Sequence, residues 1–332
     1  MRAQLLLSPS PVEASPLQLS DLPDPQPVPG QIAIRVTACG VCHTDLHTVE
    51  GDLTLPRLPI IPGHQAVGKI AALGPDVSGW SVGDRAGVFW LHRTCGRCDF
   101  CKRGEENLCP AAEFSGLHRD GGYAEFILAH ADYALRIPDI FDDEHAAPLL
   151  CAGIIGYRSL RKADVQPGER VGLFGFGASA HLALQVARHW NCRVFVFTRG
   201  SAHREHALSL GAEWAGTAAD SPPVQLDRAV IFAPSGALVP VALARLRPGG
   251  TLALNAVYMS DIPGFPYSML YGERTIRSVA NATRRDAAEF LSLAAQIPMQ
   301  VTVQSFPLKE ANRVLQLLKD AKIDGAGVLV PE

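Results

Sequence analysis

From about Leu149 onward, short apolar runs typical of strands alternate with stretches in which apolar residues recur at helical spacing. This alternation limits the possible folds of the chain more than any other feature of the sequence. RVGLF, RVFVFT and LDRAVIFA have the composition of buried strands, and ASAHLALQVARHW has the apolar spacing of a helix. Strands that alternate with helices form a parallel sheet covered by helices on both faces. We therefore expect a doubly wound α/β domain in the second part of the chain.

The first part of the chain has a different pattern, that of a β-rich domain. QIAIRVTA, over 31–38, places Ile32, Ile34 and Val36 on one face of a strand. AVGKIAAL and GYAEFILA are further short runs separated by Gly and Pro, as in a compact barrel. DAAEFLSLAAQ and KEANRVLQLLKD near the end predict helices, and AGVLV predicts a closing strand. A chain of 332 residues is long enough for two such domains.

The composition argues against several classes of protein. With 19% charged residues and a net charge of -3, the chain lacks the excess of Lys and Arg that nucleic-acid binding requires. The apolar run at the start is too short for a secretory signal, and no stretch of about 18 apolar residues could span a membrane. We expect a cytoplasmic protein with neither nucleic acid nor membrane as a partner. In that reducing compartment the eight cysteines should bind metal, catalyse or be buried.

Four cysteines lie within fifteen residues in the stretch CGRCDFCKRGEENLC; they are Cys95, Cys98, Cys101 and Cys109. Four thiolates so spaced can surround Zn²⁺ as a tetrahedron, and a site with every position filled by protein is structural. The alternatives are two disulfides, which a reducing compartment disfavours, and an iron–sulfur site, whose usual spacings differ. We predict a structural zinc whose loss would unfold the surrounding lobe.

The stretch CGVCHTDLH contains a C-x-x-C pair, Cys39 and Cys42. A redox pair would need a βαβ context, which this region lacks. The other interpretation takes Cys42 alone, together with His64 in PGHQ and Cys151 in LLCAG, as a metal site. Spacing alone supports this set weakly, because Cys151 could be a buried thiol and a histidine in a turn is usually solvated.

Five motifs occur in one order along the chain: GVCHTDLH, PGHQAVG, the cysteine quartet, PLLCAG and GFGASAH. In this order they resemble the zinc-dependent alcohol dehydrogenases of the medium-chain dehydrogenase/reductase family. The resemblance implies a GroES-like β-barrel catalytic domain over 1–150 and 283–332, and a Rossmann cofactor domain with a doubly wound parallel sheet over 151–282. It also implies that Cys42, His64 and Cys151 bind a catalytic zinc with one open position. Two zinc ions per chain are then expected, both in the catalytic domain.

The same resemblance assigns roles near the zinc. Thr44 would take the substrate proton and His47 would pass it on, since an imidazole titrates in the right range. Asp45 matches a carboxylate that orients the ligand histidine, and Trp90 matches an aromatic residue that narrows the alcohol pocket. Without such roles Asp45 would be a turn cap, His47 an exposed histidine and Trp90 a core residue. Gln65 departs from the family's common Glu, which should make the zinc environment more positive.

GFGASA is a G-x-G-x-x-A turn between a predicted strand and a predicted helix, and turns of this kind bind dinucleotides; the residues are Gly175, Phe176, Gly177, Ala178, Ser179 and Ala180. Its glycines would let the backbone approach a pyrophosphate at the helix N-terminus, although a plain tight turn is the alternative. By resemblance His43 also lies near the pyrophosphate. About twenty residues on, Thr198 and Arg199 stand where NAD-specific members carry Asp or Glu. NADP(H) is therefore favoured over NAD(H).

The sequence thus predicts an NAD(P)-dependent alcohol dehydrogenase or aldehyde reductase. It would transfer hydride between NAD(P) and a primary or small secondary alcohol or the matching carbonyl compound. The expected partners are this small molecule and further copies of the chain, in a dimer or tetramer. Two alternatives stay open: a zinc-free quinone or enoyl reductase of the same fold, and a catalytically idle zinc-binding scaffold.

Overall fold

The structure is a computed structural model that describes residues 1–332. The strands are β1 Arg2–Leu6, β2 Leu17–Asp21, β3 Gln31–Val41, β4 Ala66–Leu73, β5 Arg85–Val88, β6 Leu91–Arg93, β7 Glu113–Phe114, β8 Phe126–His130, β9 Leu135–Arg136, β10 Arg170–Phe174, β11 Arg193–Phe197, β12 Trp214–Gly216, β13 Leu226–Ile231, β14 Leu246–Leu254, β15 Thr275–Ser278, β16 Val303–Pro307 and β17 Ala326–Val330. The helices are α1 His43–Glu50, α2 Asp99–Lys102, α3 Asp143–Ala146, α4 Ala152–Lys162, α5 Ala178–His189, α6 Ser201–Ser209, α7 Leu238–Leu243, α8 Arg284–Ala294 and α9 Ala311–Lys319.

The chain divides into two compact units. Unit 1 comprises Met1–Cys151, Ala282–Ala295 and Val301–Glu332, and unit 2 comprises Ala152–Asn281 and Gln296–Gln300. This division does not test the catalytic and cofactor-binding roles that the sequence predicts for the two parts of the chain. Those roles stay predictions.

Unit 2 contains a six-stranded parallel sheet in the order β12-β11-β10-β13-β14-β15. The chain runs outward from β10 through β11 to β12, then returns to the other side of β10 and continues through β13 to β15. Because crossovers between parallel strands are right-handed, the helices after β10 and β13 cover opposite faces of the sheet. The predicted doubly wound sheet is confirmed. The turn after β10 lies where the strand order reverses, which is where such sheets bind ligands.

The strands of unit 2 read as continuous apolar runs because helices cover both faces of the sheet. Val171, Leu173 and Phe174 of β10 have no exposed surface. The Phe174 ring stacks on Phe197 of β11 with 4.1 Å between centroids. Burying each such side chain contributes about 1.5–3 kcal/mol. The core therefore fixes the C-terminal ends of β10 and β11, from which the predicted cofactor residues extend.

Unit 1 is built around β3, the longest strand. β3 pairs antiparallel with β4, β8 and β17, and the sheet extends through β5 and β9 on one side and β16 on the other. The predicted alternation in β3 is confirmed, since Ile32, Ile34 and Val36 are buried and Arg35 is exposed. β3 ends at Val41, directly before the first predicted zinc ligand.

The helices are short, and α5, with twelve residues, is the longest. No helix is both long enough and apolar enough to cross a bilayer. Side-chain caps define several helix starts. At α8 the Thr283 hydroxyl accepts from the Asp286 N–H at 3.1 Å, and the Asp286 carboxylate accepts in return from the Thr283 N–H at 2.8 Å, which satisfies two N–H groups that the helix leaves unpaired.

Candidate functional site

The first turn of α1 carries several of the predicted catalytic residues. Cys42 precedes the helix, and its Sγ accepts from the backbone N–H of Thr44 at 3.3 Å. The Asp45 carboxylate accepts from the Cys42 N–H at 3.0 Å. This reciprocal pair is a capping box in which a cysteine stands where Ser or Thr is usual. The cap fixes the Cys42 thiol at the end of β3.

His64 and Cys151 lie next to this thiol. The donor atoms of Cys42, His64 and Cys151 all lie within 4.8 Å of one another, and Cys42 Sγ is 3.3 Å from His64 Nε2. Ligand distances of about 2.0–2.3 Å in a tetrahedral zinc site separate neighbouring donors by about 3.3–3.8 Å. Two thiolates and an imidazole at these separations fit zinc and leave a fourth position open. We call these three residues the catalytic cluster.

Asp45 connects α1 to the turn that carries His64. Its Oδ1 accepts from the Gly63 N–H at 3.2 Å and is 2.9 Å from His64 Nδ1. Gly63 has a φ of +97°, which a residue with a side chain rarely adopts. The bond to Asp45 holds the ring proton on Nδ1 and directs Nε2, the nitrogen beside Cys42, toward a metal.

The charges in the catalytic cluster favour a cation. The hydrogen bond from Cys151, together with His64, holds the pKa of Cys42 well below its ordinary value. Burial opposes the charged form of His64, but Asp45 and Cys42 outweigh it and raise the pKa of the imidazole well above its ordinary value. The hydrogen bond to Cys42, followed by burial, raises the pKa of Cys151. A thiolate and a buried carboxylate therefore stabilise positive charge where a metal would bind.

The remaining predicted residues of α1 differ in exposure. Thr44 is buried, His43 is exposed, and the His47 side chain is 15% exposed with Nδ1 2.8 Å from an Asp52 carboxylate oxygen. His43 and His47 face the same side of the helix, with ring centroids 6.5 Å apart. The proton relay through Thr44 and His47 stays a prediction.

Trp90 lies beside the catalytic cluster. Its ring centroid is 6.1 Å from that of His64, and it stacks on Phe114 at 4.6 Å. The antiparallel pair of β6 and β7 brings Phe114 to this position. Both aromatic rings are partly exposed, so they form an apolar wall rather than a sealed core. The sequence did not predict Phe114 as a site residue, because no motif or periodic pattern distinguishes it.

Gln65, the departure from the family's common Glu, is 2% exposed and packs against β3. Its backbone carbonyl accepts from the Gly40 N–H at 3.0 Å. A Cβ atom at Gly40 would lie 3.0 Å from the Gln65 amide group, so the glycine makes room for this side chain. An amide here leaves the surroundings of His64 with one negative charge fewer than a carboxylate would supply.

The cysteine quartet forms a second compact cluster in unit 1. The Sγ–Sγ distances are 3.5 Å for Cys98 and Cys101, 3.5 Å for Cys95 and Cys109, and 4.0 Å for Cys95 and Cys101. Disulfide sulfurs lie about 2.05 Å apart, whereas four thiolates around zinc lie about 3.8 Å apart. Backbone N–H groups of Arg97 and Cys98 lower the pKa of Cys95 to about 6. The quartet therefore fits a filled, structural zinc site.

Polar contacts anchor this lobe to the rest of unit 1. The Glu106 carboxylate accepts from Arg284 Nη2 at 2.7 Å and from its Nε at 3.0 Å. The Arg284 guanidinium lies over the Tyr133 ring, 4.3 Å from its centroid. The Tyr133 and Thr94 hydroxyls are 2.7 Å apart, and Thr94 Oγ1 is 3.5 Å from the Cys101 thiol. Few apolar side chains take part, so the lobe depends on its cysteines.

In unit 2 the GFGASA turn joins β10 to α5. Gly175 has a φ of +91°, and a Cβ atom there would lie 2.8 Å from the Ala233 nitrogen. Gly177 precedes α5 without a side-chain cap, and a Cβ atom there would meet nothing within 4 Å. The first N–H groups of α5 are therefore open to an anion. This arrangement fits a dinucleotide pyrophosphate.

The other predicted residues of this turn are unequally exposed. Ala178 and Ser179 are partly exposed, and Ala180 is buried. The Phe176 side chain is buried with its ring centroid 5.7 Å from that of His206. Its side chain therefore belongs to the core, and only its backbone is available to a cofactor.

The loop after β11 contains Thr198 and the exposed Arg199. Arg204 of α6 donates to the Thr198 carbonyl at 3.2 Å and to the Arg199 carbonyl at 2.6 Å. Sequence reasoning missed Arg204, whose contacts depend on how α6 packs at the end of β11. The guanidinium fixes the backbone from which Arg199 extends.

Comparison with known proteins identifies the family. The family described as alcohol dehydrogenase GroES-like domain matches residues 28–139. A protein of Mycobacterium tuberculosis (strain CDC 1551 / Oshkosh), described as "Probable alcohol dehydrogenase AdhA", is 46% identical over 336 residues, 99% of this chain and 97% of that protein. The chain belongs to the zinc-type medium-chain alcohol dehydrogenase family. The predicted class of activity, an NAD(P)-dependent alcohol dehydrogenase, is confirmed, and neither alternative is better supported.

Solved structures agree with the assignment of the enzyme to this family. An alcohol dehydrogenase of the archaeon Aeropyrum pernix is 29% identical, with a TM-score of 0.89 and 100% of both chains covered. A thermostable alcohol dehydrogenase of Pyrobaculum aerophilum, described as cobalt and zinc bound, is 25% identical with a TM-score of 0.90, over 100% of this chain and 99% of that one. The predicted fold, a GroES-like domain with a Rossmann domain, is confirmed.

Proposed function

We propose that this enzyme interconverts a primary or small secondary alcohol and its carbonyl product at a zinc held by Cys42, His64 and Cys151. The observation that carries the proposal is the convergence of these three donor atoms within 4.8 Å. When bound, zinc supplies a Lewis acid for the substrate oxygen, and the nicotinamide supplies or accepts hydride. Two thiolates and one imidazole leave the metal an open position for a substrate.

The protein's own residues bind, orient and move the proton. Asp45 holds the proton on His64 Nδ1 and so keeps Nε2 free as a ligand. The Thr44 hydroxyl accepts the proton of the alcohol as it releases its own, and the relay ends at the partly exposed His47 imidazole, which passes a proton to water. Trp90 and Phe114 form a flat apolar wall that favours unbranched or planar substrates over polyols.

A second, structural zinc belongs to the same proposal, held by the four cysteines of the quartet, which gives two ions per chain. We assign the catalytic domain to residues 1–150 and 283–332 and the cofactor domain to residues 151–282. Cys151, at this boundary, belongs to the first compact unit, so the ligands of both zinc sites lie in that unit. A cytoplasmic location is part of the proposal, because eight free thiols suit a reducing compartment.

The preferred cofactor in this proposal is NADP(H). Gly175, Gly177 and the N-terminus of α5 bind the pyrophosphate, with His43 as an additional contact. Arg199 is exposed at the end of β11, where a guanidinium favours a 2′-phosphate that a carboxylate would repel. The neighbouring Thr198 adds a hydroxyl donor.

Replacing Arg199 by Ala should raise KM for NADPH by about tenfold, because a charge-assisted hydrogen bond to the 2′-phosphate is lost. KM for NADH should change less than twofold. Steady-state kinetics with both cofactors measures this. Arg193→Ala is the matched control, since Arg193 lies at the opposite end of β11 and pairs with Glu213. A variant at Arg199 with unchanged preference would refute the assignment of this loop.

Metal analysis combined with turnover tests the proposed function as a whole. Purified enzyme is assayed with a panel of aldehydes and alcohols, using NADPH and NADH in parallel, and its zinc content is measured. Two zinc ions per chain with turnover support the proposal. Turnover with one ion or none would favour a zinc-free reductase, and two ions without turnover would favour a zinc-binding scaffold.

We also propose that the enzyme is a homo-oligomer joined at β15. This strand ends the sheet of unit 2 and pairs only with β14, while Tyr267 and Tyr271 just before it are 72% and 69% exposed. An unpaired edge beside exposed aromatic rings is a template for a second copy of the chain. Light scattering should give two or four times the chain mass of 35.6 kDa. A monomer at micromolar concentration would contradict this.

A further inference from the structure

Tyr123 lies next to the catalytic cluster and has no part in the mechanism above. Its side chain is completely buried. Its hydroxyl is buried as well and has no hydrogen-bond partner. Native structures rarely leave such a group unpaired, because burial removes its hydrogen bonds to water without replacing them. The hydroxyl therefore calls for a functional explanation.

The Tyr123 ring packs directly on the turn that carries His64. A Cβ atom at Gly63 would clash with this ring, so the ring lies against bare backbone. The Tyr123 N–H donates to the Pro62 carbonyl at 3.0 Å, and the Gly122 N–H donates to the Gly63 carbonyl at 3.0 Å. The ring and these two bonds hold the backbone on the N-terminal side of His64.

The Tyr123 side chain and Asp45 meet at the same turn, because the ring packs on Gly63 and the Asp45 carboxylate accepts from the Gly63 N–H at 3.2 Å. Burial, followed by the charge of Asp45, raises the pKa of Tyr123 well above its ordinary value, and Cys39 and Cys42 act in the same direction. A phenolic hydroxyl is protonated at neutral pH and able to donate. Among these groups the Asp45 carboxylate is the strongest hydrogen-bond acceptor.

Asp45 has room for one more donor. A carboxylate has two oxygens with about four lone-pair sites. Three are used, by the N–H groups of Cys42 and Gly63 and by His64 Nδ1. A fourth donor would complete the set without displacing any of these bonds, and a fully satisfied buried network is more rigid than a partly satisfied one.

We propose that Tyr123 is a positioning residue that acts through Asp45. In the zinc-loaded enzyme its hydroxyl donates to the free lone pair of the Asp45 carboxylate, which holds the carboxylate and, through it, the His64 ring in the orientation that binds zinc. The inference rests on the proposed ligation of zinc by His64. A group whose only role is packing would need the ring alone, and phenylalanine would serve equally well.

Tyr123→Phe tests this, because it keeps the ring against Gly63 and removes only the hydroxyl. Zinc release to a chromophoric chelator is followed in time. One of the two ions should leave about tenfold faster than in the unsubstituted enzyme, as for other losses of a partner behind a metal ligand, and the other ion at an unchanged rate. The visible spectrum of the enzyme with cobalt in the catalytic cluster should shift as well. Release at the original rate with an unchanged spectrum would overturn the proposal.

Tyr133→Phe is the matched control. It removes a buried hydroxyl that bonds to Thr94 beside the cysteine quartet, so release of the ion in the catalytic cluster should not change. A single zinc in the unsubstituted enzyme would instead contradict the proposed zinc sites. Failure of the proposed function is therefore distinguishable from failure of the proposed role of Tyr123.

A double-mutant cycle with Asp45→Asn separates positioning from packing. If Tyr123 acts through Asp45, adding Tyr123→Phe to Asp45→Asn should speed zinc release by less than twofold beyond the single Asp45 variant. If the two substitutions instead speed zinc release independently, so that their rate factors multiply in the double variant, Tyr123 acts by another route and the proposal is wrong.

Discussion

Replacing Cys151 by Ser should lower kcat/KM for aldehyde reduction by about a thousandfold or more and reduce the zinc content from two ions per chain to one. Cys151 is one of only three donors in the catalytic cluster, and a site reduced to one thiolate and one imidazole holds zinc poorly. A thousandfold loss corresponds to about 4 kcal/mol of transition-state stabilisation, within the range of a Lewis-acid contribution. Steady-state kinetics and elemental analysis on the same sample measure both effects.

Cys39→Ser is the matched control for this loss. Cys39 belongs to the same C-x-x-C pair as Cys42, but its thiol lies 3.7 Å from the Gly40 carbonyl and outside the catalytic cluster. The control should keep both zinc ions. Full activity in Cys151→Ser, or loss of zinc from the control and not from the variant, would show that the three residues are not the ligands.

Replacing Cys109 by Ser should remove the other zinc and lower the midpoint of thermal unfolding by about 10 °C. The lobe around the quartet buries few apolar side chains, and Leu108 within it is 43% exposed, so we expect the zinc to supply most of the stability of its folded conformation. Calorimetry gives the midpoint, and limited proteolysis should cut the variant within residues 95–112 while the unsubstituted enzyme stays intact.

Cys192→Ser provides the comparison, since Cys192 is buried in unit 2 and belongs to neither cluster. The midpoint of thermal unfolding of this variant should fall by only a few degrees, and the variant should retain both zinc ions. If Cys109→Ser instead unfolds at the original midpoint with two ions bound, the quartet has no structural zinc and the lobe is stabilised by contacts such as that of Glu106 with Arg284.

The sequence predicts those features that depend on neighbours along the chain. The quartet is recognisable because its four thiols lie within fifteen residues, and the parallel sheet is recognisable because strands buried on both faces are continuously apolar. The strand order in unit 2 is not encoded in any local pattern. It is set by which helices and strands pack together after the chain has folded.

The catalytic cluster shows the same limit. Cys42, His64 and Cys151 come from three separate segments, so spacing supports them weakly and only the resemblance brought them together. The capping box at Cys42 was missed because its signature normally begins with Ser or Thr. Tyr123 and Phe114 have no periodicity or motif that marks them, and their contacts with Gly63 and Trp90 exist only in the folded protein.

Anomalous X-ray diffraction at the zinc absorption edge tests most directly whether one zinc is held by Cys42, His64 and Cys151. Crystals of active enzyme should give two anomalous peaks per chain. One should lie about 2.0–2.3 Å from Cys42 Sγ, His64 Nε2 and Cys151 Sγ, and the other inside the cysteine quartet. The absence of a peak among the first three residues in crystals that still reduce aldehydes would contradict the account.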